Sequence, residues 1–300
     1  MLGYKALAKL DRKKYRQQYG VYLVEGKKTV LEAAQAALDG SIKVLQLVTT
    51  PSFEKENPEY IAQSEIQQYF KGKRVLELGY SAFADICDTT TPQGIAAVVS
   101  LPEYSLETVL SSEVQEKAES KKATTGDTLT KKQKTIAILE DVRDPGNVGT
   151  IIRTADWFGL DGLICLGGAD PFQPKVVRSS MGSIFRVPIF HVGRGDVADM
   201  LDEIIADTKT AGFHIITSQP ELATQTDSTE PKPKSKAKSK TDHATTESKV
   251  CFILGNEARG TSSKIDELAD SSIAIPQFGH AESLNVAISF GILIAQRKLK

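Results

Sequence analysis

Three stretches in the second half of this 300-residue chain concentrate residues that bind or activate small polar groups: DPGNVGTIIR, LGNEARG and IPQFGHAESLNV. Each combines glycine, which lets a backbone approach closely, with asparagine, which carries both a donor and an acceptor. Each also carries charged groups, among them Arg153 and Glu257. The plain alternative for Asn147 and Arg153 is a helix cap and a surface cation. Other chemistries fit less well. Neither Gly-x-Gly-x-x-Gly nor GxxxxGK[ST] occurs, and the four histidines are scattered. His280 reads as a solvent-facing loop residue, and Ser283 has no evident histidine partner for acyl transfer.

The elements that would carry these loops can be read from apolar periodicity. Ile136 to Leu139 is a short run of mostly branched residues, as a buried parallel strand needs. Pro145-Gly146 signals a turn. From Val148 the period becomes helical, with Val148, Ile151, Ile152, Ala155 and Phe158 on one face and Gly159 at the stop. Gly162 to Leu166 reads as the next strand, which makes a βαβ unit. Further strands are predicted at Arg186–Phe190, Phe213–Thr217, Val250–Leu254 and Ser272–Ile275. Helices are predicted at Val197–Thr210, Ile265–Leu268 and from Ser283, as N-cap, to Ala295. If this sheet is parallel, all three loops leave its carboxyl edge, where open α/β sheets bind ligands.

The first hundred residues read as a separate small α/β domain, with strands at Val21–Val24, Val44–Val48 and Gly94–Val99. Helices are expected near Lys28–Leu38, Ile61–Phe70 and Ser81–Ile86. The boundaries expected are 1–102 for this domain, 103–134 for a flexible linker with a short helix near Leu106–Ala118, and 135–300 for the second domain. Within the latter, 221–249 is a Lys-rich tract read as a disordered insertion. With 37 Lys and Arg against 38 Asp and Glu, the formal net charge is −1, so contact with nucleic acid must come from local patches. Such a patch is offered near the start, where Lys13, Lys14 and Arg16 interleave with Tyr15 and Tyr19. No apolar run reaches the roughly 20 residues of a membrane helix, and no signal-peptide core opens the chain. Cys87, Cys165 and Cys251 lie far apart, which favours free thiols in a reducing compartment over disulfides or zinc. A cytoplasmic protein with no membrane or metal partner is expected.

In order and content the three loops resemble the three motifs of the SpoU (TrmH-type) RNA ribose 2′-O-methyltransferases of the SPOUT class. Asn147 and Arg153 match the first motif; Gly255, Asn256, Glu257 and Gly260 the second; and Ile275, Pro276, Ser283, Leu284, Asn285 and Val286 the third. VVRSSMGSIFRVP resembles the family's R-x-S-x-G segment. YLVEGKKTVLEA and TTPQGIAAVV resemble a ribosomal-protein-like substrate-binding domain often fused to it. The resemblance implies an α/β trefoil-knot domain with a mostly parallel sheet, S-adenosylmethionine as cofactor, a homodimer, and RNA as substrate, with ribosomal RNA favoured over transfer RNA. It implies Leu254, Gly255, Asn256, Ile275 and Leu284 around the cofactor, joined by Thr217 and Ser218. It points to Arg153 as base or as an electrostatic clamp, with Glu257 orienting it and Asn147, Ser283 and Asn285 positioning the ribose. Arg178, with Lys13, Lys14 and Arg16, would contact RNA. A non-catalytic RNA-binding protein of the same fold, and a base methylator, stay open as alternatives.

Overall fold

The computed structural model describes residues 1–111, 133–220 and 247–299. The expected insertion therefore lies outside the described residues except at 247–249, as does 112–132 of the expected linker. The chain forms two compact units: Met1–Glu103 with Val148–Arg153 and Ala169–Val187, and Tyr104–Asn147 with Thr154–Gly168 and Pro188–Lys300. No helix among the described residues is long and apolar enough to cross a membrane.

In the first unit, strands β1 (Val21–Glu25), β2 (Val44–Thr49), β3 (Val75–Glu77) and β4 (Ile95–Ser100) form one sheet in the order β1-β4-β2-β3. The β1–β4 and β4–β2 pairs are antiparallel, and β2–β3 is parallel. β3 is the strand the sequence reading omits. It is three residues long and lies at the sheet edge, too short for a period to show. Val21, Leu23, Val48, Ala96 and Val98 share a core with Leu7, Leu10 and Phe83. The helix Lys27–Leu38 packs against β1, β2 and β4, and the ring of Phe172 lies 5.3 Å from that of Tyr22. With both faces covered, these strands read as continuous apolar runs. The segment 169–187, which the sequence assigns to the second domain, packs here through Phe172 and the helix Pro174–Ser179, which lies against β1.

The second unit is built on six strands: β5 (Lys134–Glu140), β6 (Gly162–Leu166), β7 (Ile189–Val192), β8 (His214–Pro220), β9 (Lys249–Leu254) and β10 (Ser271–Ile275). Their order is β10-β8-β9-β5-β6-β7, and every pairing is parallel. Ile136, Ile138, Ile164, Cys251 and Ile253 form one core face, closed by Leu201, Ile204 and Ile205 of the helix Val197–Thr210. Val109 and Leu110 of the helix Leu106–Ser111 are buried in the same core, so part of the 103–134 stretch is packed structure. The strand expected over Arg186–Phe190 starts three residues later, as β7, after a 3-10 turn at Ser183–Phe185. Lys249, read as the end of the insertion, opens β9; its ammonium donates to the Ala211 carbonyl at 2.7 Å and lies over the Phe213 ring.

The last helix is Val286–Lys298. Its N-cap is Asn285, not Ser283 as the sequence suggests: the Asn285 side-chain oxygen accepts from the amides of Ala287 and Ile288 at 2.9 and 3.3 Å. At the other end Arg297 is buried. It donates to the Thr135 hydroxyl (2.8 Å) and to the carbonyls of Lys134 and Glu247 (both 3.1 Å). Thirteen residues span about 20 Å, close to the length of β5, so the helix is fastened at both edges of the sheet. Arg297→Leu leaves those buried acceptors without a donor and is expected to lower unfolding free energy by about 2–3 kcal/mol, measured by urea titration.

Candidate active site

Strand order in the second unit runs one way from β5 through β6 and β7, and the other way through β9, β8 and β10. The carboxyl ends of β5 and β9 therefore flank a topological switch point, where crossovers diverge and leave a crevice. Two of the three motif loops begin there. The loop after β5 ends at Asp144, whose carboxylate accepts from the Asn147 amide at 2.9 Å, and Pro145 takes the first helical position. This cap starts the helix Pro145–Trp157 and puts Asn147 in its first turn.

The Asn147 side chain joins all three loops. Its amide nitrogen donates to Glu257 Oε1 at 3.1 Å, and its oxygen accepts from the Asn285 side-chain amide at 2.8 Å. The carboxylate dictates which end of the amide faces which partner, because two oxygens would repel. Glu257 also accepts from the backbone amides of Arg143 (3.3 Å) and Asp144 (3.2 Å). Partial burial pushes the Glu257 carboxyl up, but hydrogen bonds from its own backbone, Asn147, Asp144 and Arg143 outweigh this and hold it below the ordinary glutamate range. At neutral pH it is an ionised acceptor, suited to orienting donors rather than delivering a proton.

The loop after β9 closes on itself. Asn256 and Gly260 exchange backbone hydrogen bonds of 2.9 and 2.8 Å, and Asn256 Nδ2 donates to the Asp141 carbonyl at 2.9 Å. A Cβ on Gly255 would fall 2.0 Å from the Gly260 carbonyl carbon, so the turn itself demands glycine. Gly168 is demanded likewise: its φ is +66°, and a Cβ would sit 2.3 Å from the Val142 carbonyl oxygen.

The expected cofactor residues lie along the same edge. Thr217 is level with Ile253 and Ser272 across neighbouring strands, Ser218 with Ile273, and Leu254 with Leu139. Leu254 and Thr217 are buried, and Ile275 is half-buried. Leu284, Ser283 and Phe278 are exposed, and Gln277 folds their loop by donating to the carbonyls of Gly279 and Ala281. Among the described residues β10 stands at the edge of its sheet, and one side of its backbone has no ladder partner there. Apolar side chains beside unladdered peptide groups suit an adenosyl group, which needs a wall for its base and main-chain partners for its edge.

Arg153 is exposed, in the third turn of the helix. Six residues beyond Asn147, it stands about 9 Å further along the axis and roughly 120° around it, so the two occupy different faces. Of the expected RNA-contacting cations, Lys14 is exposed and Lys13 partly so. Arg178 pairs with Asp88 at 2.6 Å, both partly exposed. Arg16 is a correction: it is 3% exposed, pairs with Asp170 at 2.7 Å and donates to the carbonyls of Leu10 and Asp11, so it fastens this unit internally. Sequence reasoning passed over Asp144 as a cap and Asp141 as a charge centre, although both stand in the first loop. Arg194 and Arg259 reach Asp141 only through the strand order, which spacing does not reveal.

A parallel sheet whose switch point gathers these three loops defines an α/β methyltransferase of the SPOUT type, and the chain belongs to the SpoU rRNA Methylase family. That family's model matches residues 134–295, and an MRM3-like substrate binding domain matches 4–97. The chain is 29% identical to the 23S rRNA (guanosine(2553)-2′-O)-methyltransferase RlmP of Bacillus subtilis, over 95% of this chain and 92% of that protein. It is 24% identical to human mitochondrial rRNA methyltransferase 3, over 95% of this chain and 69% of that protein. Among solved structures, the AdoMet-bound rRNA methyltransferase from Sinorhizobium meliloti superposes with a TM-score of 0.69 at 28% identity, covering 99% of this chain and 94% of that one.

Proposed function

We propose that this protein transfers a methyl group from S-adenosylmethionine to a ribose 2′-hydroxyl of large-subunit ribosomal RNA, with guanosine as the favoured nucleotide. The observation that carries the reading is the Asn147 amide, bonded at once to Glu257 of the second motif and Asn285 of the third. The similarity to RlmP along nearly the whole of both chains supports the ribosomal substrate. When bound, S-adenosylmethionine supplies an electrophilic methyl on a sulfonium. The chain's own residues do the rest. Ile275 and Leu284 would wall the cofactor, with the backbone at Leu254, Gly255 and β10 available to its polar groups. Asn147, Ser283 and Asn285 hold the ribose in place, which supplies much of the rate when a weak nucleophile must meet a fixed electrophile. A guanidinium is a poor base at neutral pH, so Arg153, on another face of its helix from Asn147, would act across the proposed dimer, holding negative charge on the ribose oxygen bound at the partner's site as its proton leaves to solvent.

In this reading residues 1–102 present RNA, residues 135–300 form the knotted methyltransferase, and the protein works in the cytoplasm. The three free thiols, two of them buried, support the last point. The second unit forms a homodimer. Its support is the last helix, which buries Phe290, Leu293 and Ile294 on one side while Ile288 and Leu299, 55% and 78% exposed, continue a stripe through Ile292 and Ala295 on another. Ile288→Glu combined with Ile292→Glu is expected to give a monomer in sedimentation at micromolar concentration; an unchanged dimer removes this helix from the interface.

The function is tested by incubating the protein with methyl-labelled cofactor and unmodified ribosomal or transfer RNA. Alkali-resistant labelled dinucleotides from ribosomal RNA are expected. Label only in transfer RNA, label in a base, or RNA binding without transfer would each replace the reading.

A further inference from the structure

Three arginines converge on one carboxylate beside the Asn147 network. Asp141 Oδ2 accepts from Arg143 Nε (2.9 Å) and Nη2 (2.7 Å) and from Arg259 Nη2 (3.0 Å), while Oδ1 accepts from Arg194 Nη2 (2.7 Å). Asp141 is held where it can do this. Its φ is +52°, uncommon for a residue with a side chain, its amide donates to the Leu166 carbonyl at 2.8 Å, and its own carbonyl accepts from Asn256.

The arrangement exceeds what folding requires. One carboxylate needs one cation, and exposed ion pairs contribute little to stability. Here three guanidiniums crowd one carboxylate, and the nearby Glu257 carboxylate acts on Arg143 alone of the three, so Arg194 and Arg259 share Asp141 with a third cation. The carboxylate is the sheltered member, 22% exposed, while Arg143, Arg194 and Arg259 are 52, 64 and 69% exposed and form a rim. A guanidinium has five N–H donors, and the three direct only four of theirs at Asp141. The rest belong to side chains more than half exposed, so they are open to a second anion. Planar forks of this kind match phosphate oxygens. The cluster also shares its loop with the site, since the Arg143 amide donates to Glu257.

We infer that Arg143, Arg194 and Arg259, gathered on Asp141, form a subsite for a phosphodiester of the substrate RNA next to the nucleotide that is methylated. This rests on the proposed RNA methyl transfer and names the part of the chain that sets the register of the strand. Asp141 keeps the guanidiniums assembled before RNA arrives, so less side-chain freedom is lost on binding.

The test uses full-length protein with Arg194→Gln, Arg259→Gln and the double variant, and large-subunit ribosomal RNA transcribed in vitro as probe. Each single change is expected to raise KM for RNA about tenfold. It should lower the slope of log affinity against log salt by about 0.7–0.9. The affinity for S-adenosylmethionine, measured by calorimetry, should stay within about twofold. Arg194→Lys and Arg259→Lys should restore the salt slope, and they carry the test if the glutamine variants do not fold. Unchanged salt slope and KM would show solvated surface pairs and overturn the subsite. So would a loss of cofactor affinity with KM for RNA unchanged, which would assign the cluster to the cofactor's carboxylate. Wild-type protein that methylates no RNA would sink the proposed function, whereas a methylating wild type with indifferent variants would sink the subsite alone.

Discussion

Arg153→Ala is expected to reduce methyl transfer by about 10²- to 10³-fold while S-adenosylmethionine still binds. That is the cost typical of losing one donor that stabilises developing oxyanion charge. Arg153 is exposed near the middle of a helix whose Val148, Ile151, Ile152 and Ala155 are buried, so its truncation removes a charge without opening the core. Thermal stability should therefore remain near that of the wild type. Arg153→Lys keeps the charge but not the planar fork, and should recover only part of the rate. Single-turnover transfer from labelled cofactor gives the answer. A variant with normal turnover would remove Arg153 from the mechanism and leave positioning by Asn147 and Asn285 as the source of rate.

Glu257→Gln should be nearly as damaging, for a different reason. The carboxylate accepts from two backbone amides and the Asn147 side chain. Glutamine offers one oxygen to these three donors and turns an NH₂ toward the rest. Freed from its partner, the Asn147 amide can rotate, and its oxygen no longer reliably meets Asn285. Transfer is expected to fall about 100-fold with a stability loss of only about 1 kcal/mol, because the group lies at the surface. The carboxyl is held below the ordinary glutamate range, so its contribution to folding is complete above that range and is lost as pH falls through the lowered value. Glu257→Gln should flatten that part of the acid unfolding profile. A parallel fall of rate and stability would mean Glu257 shapes the loop and nothing more.

What could be read before folding follows from where the information lies. The central strands of the six-stranded sheet are legible because burial on both faces writes them as unbroken runs, as in Val250–Leu254. Asn147, Glu257 and Asn285 were legible as motif residues, and their convergence followed from a parallel sheet. Their hydrogen bonds to one another were not, because a side-chain amide leaves no periodic trace. Ser283 outranks Asn285 as a cap by local pattern, yet Asn285 caps because its side chain reaches the Ala287 amide while its own amide group serves Asn147. Arg16 looked like its lysine neighbours, and only the packing shows it turned inward to Asp170. The triad on Asp141 joins positions two, fifty-three and one hundred and eighteen residues away, a distance at which spacing carries no signal.

The loops that the Asn147 amide ties together are separated by 110 and 138 residues. A chain emerging from the ribosome thus cannot complete this centre until Asn285 has been synthesised, although the four described strands of the smaller sheet have appeared by residue 100. Assembly of the centre is accordingly slow, because contacts so remote must wait for costly loop closure.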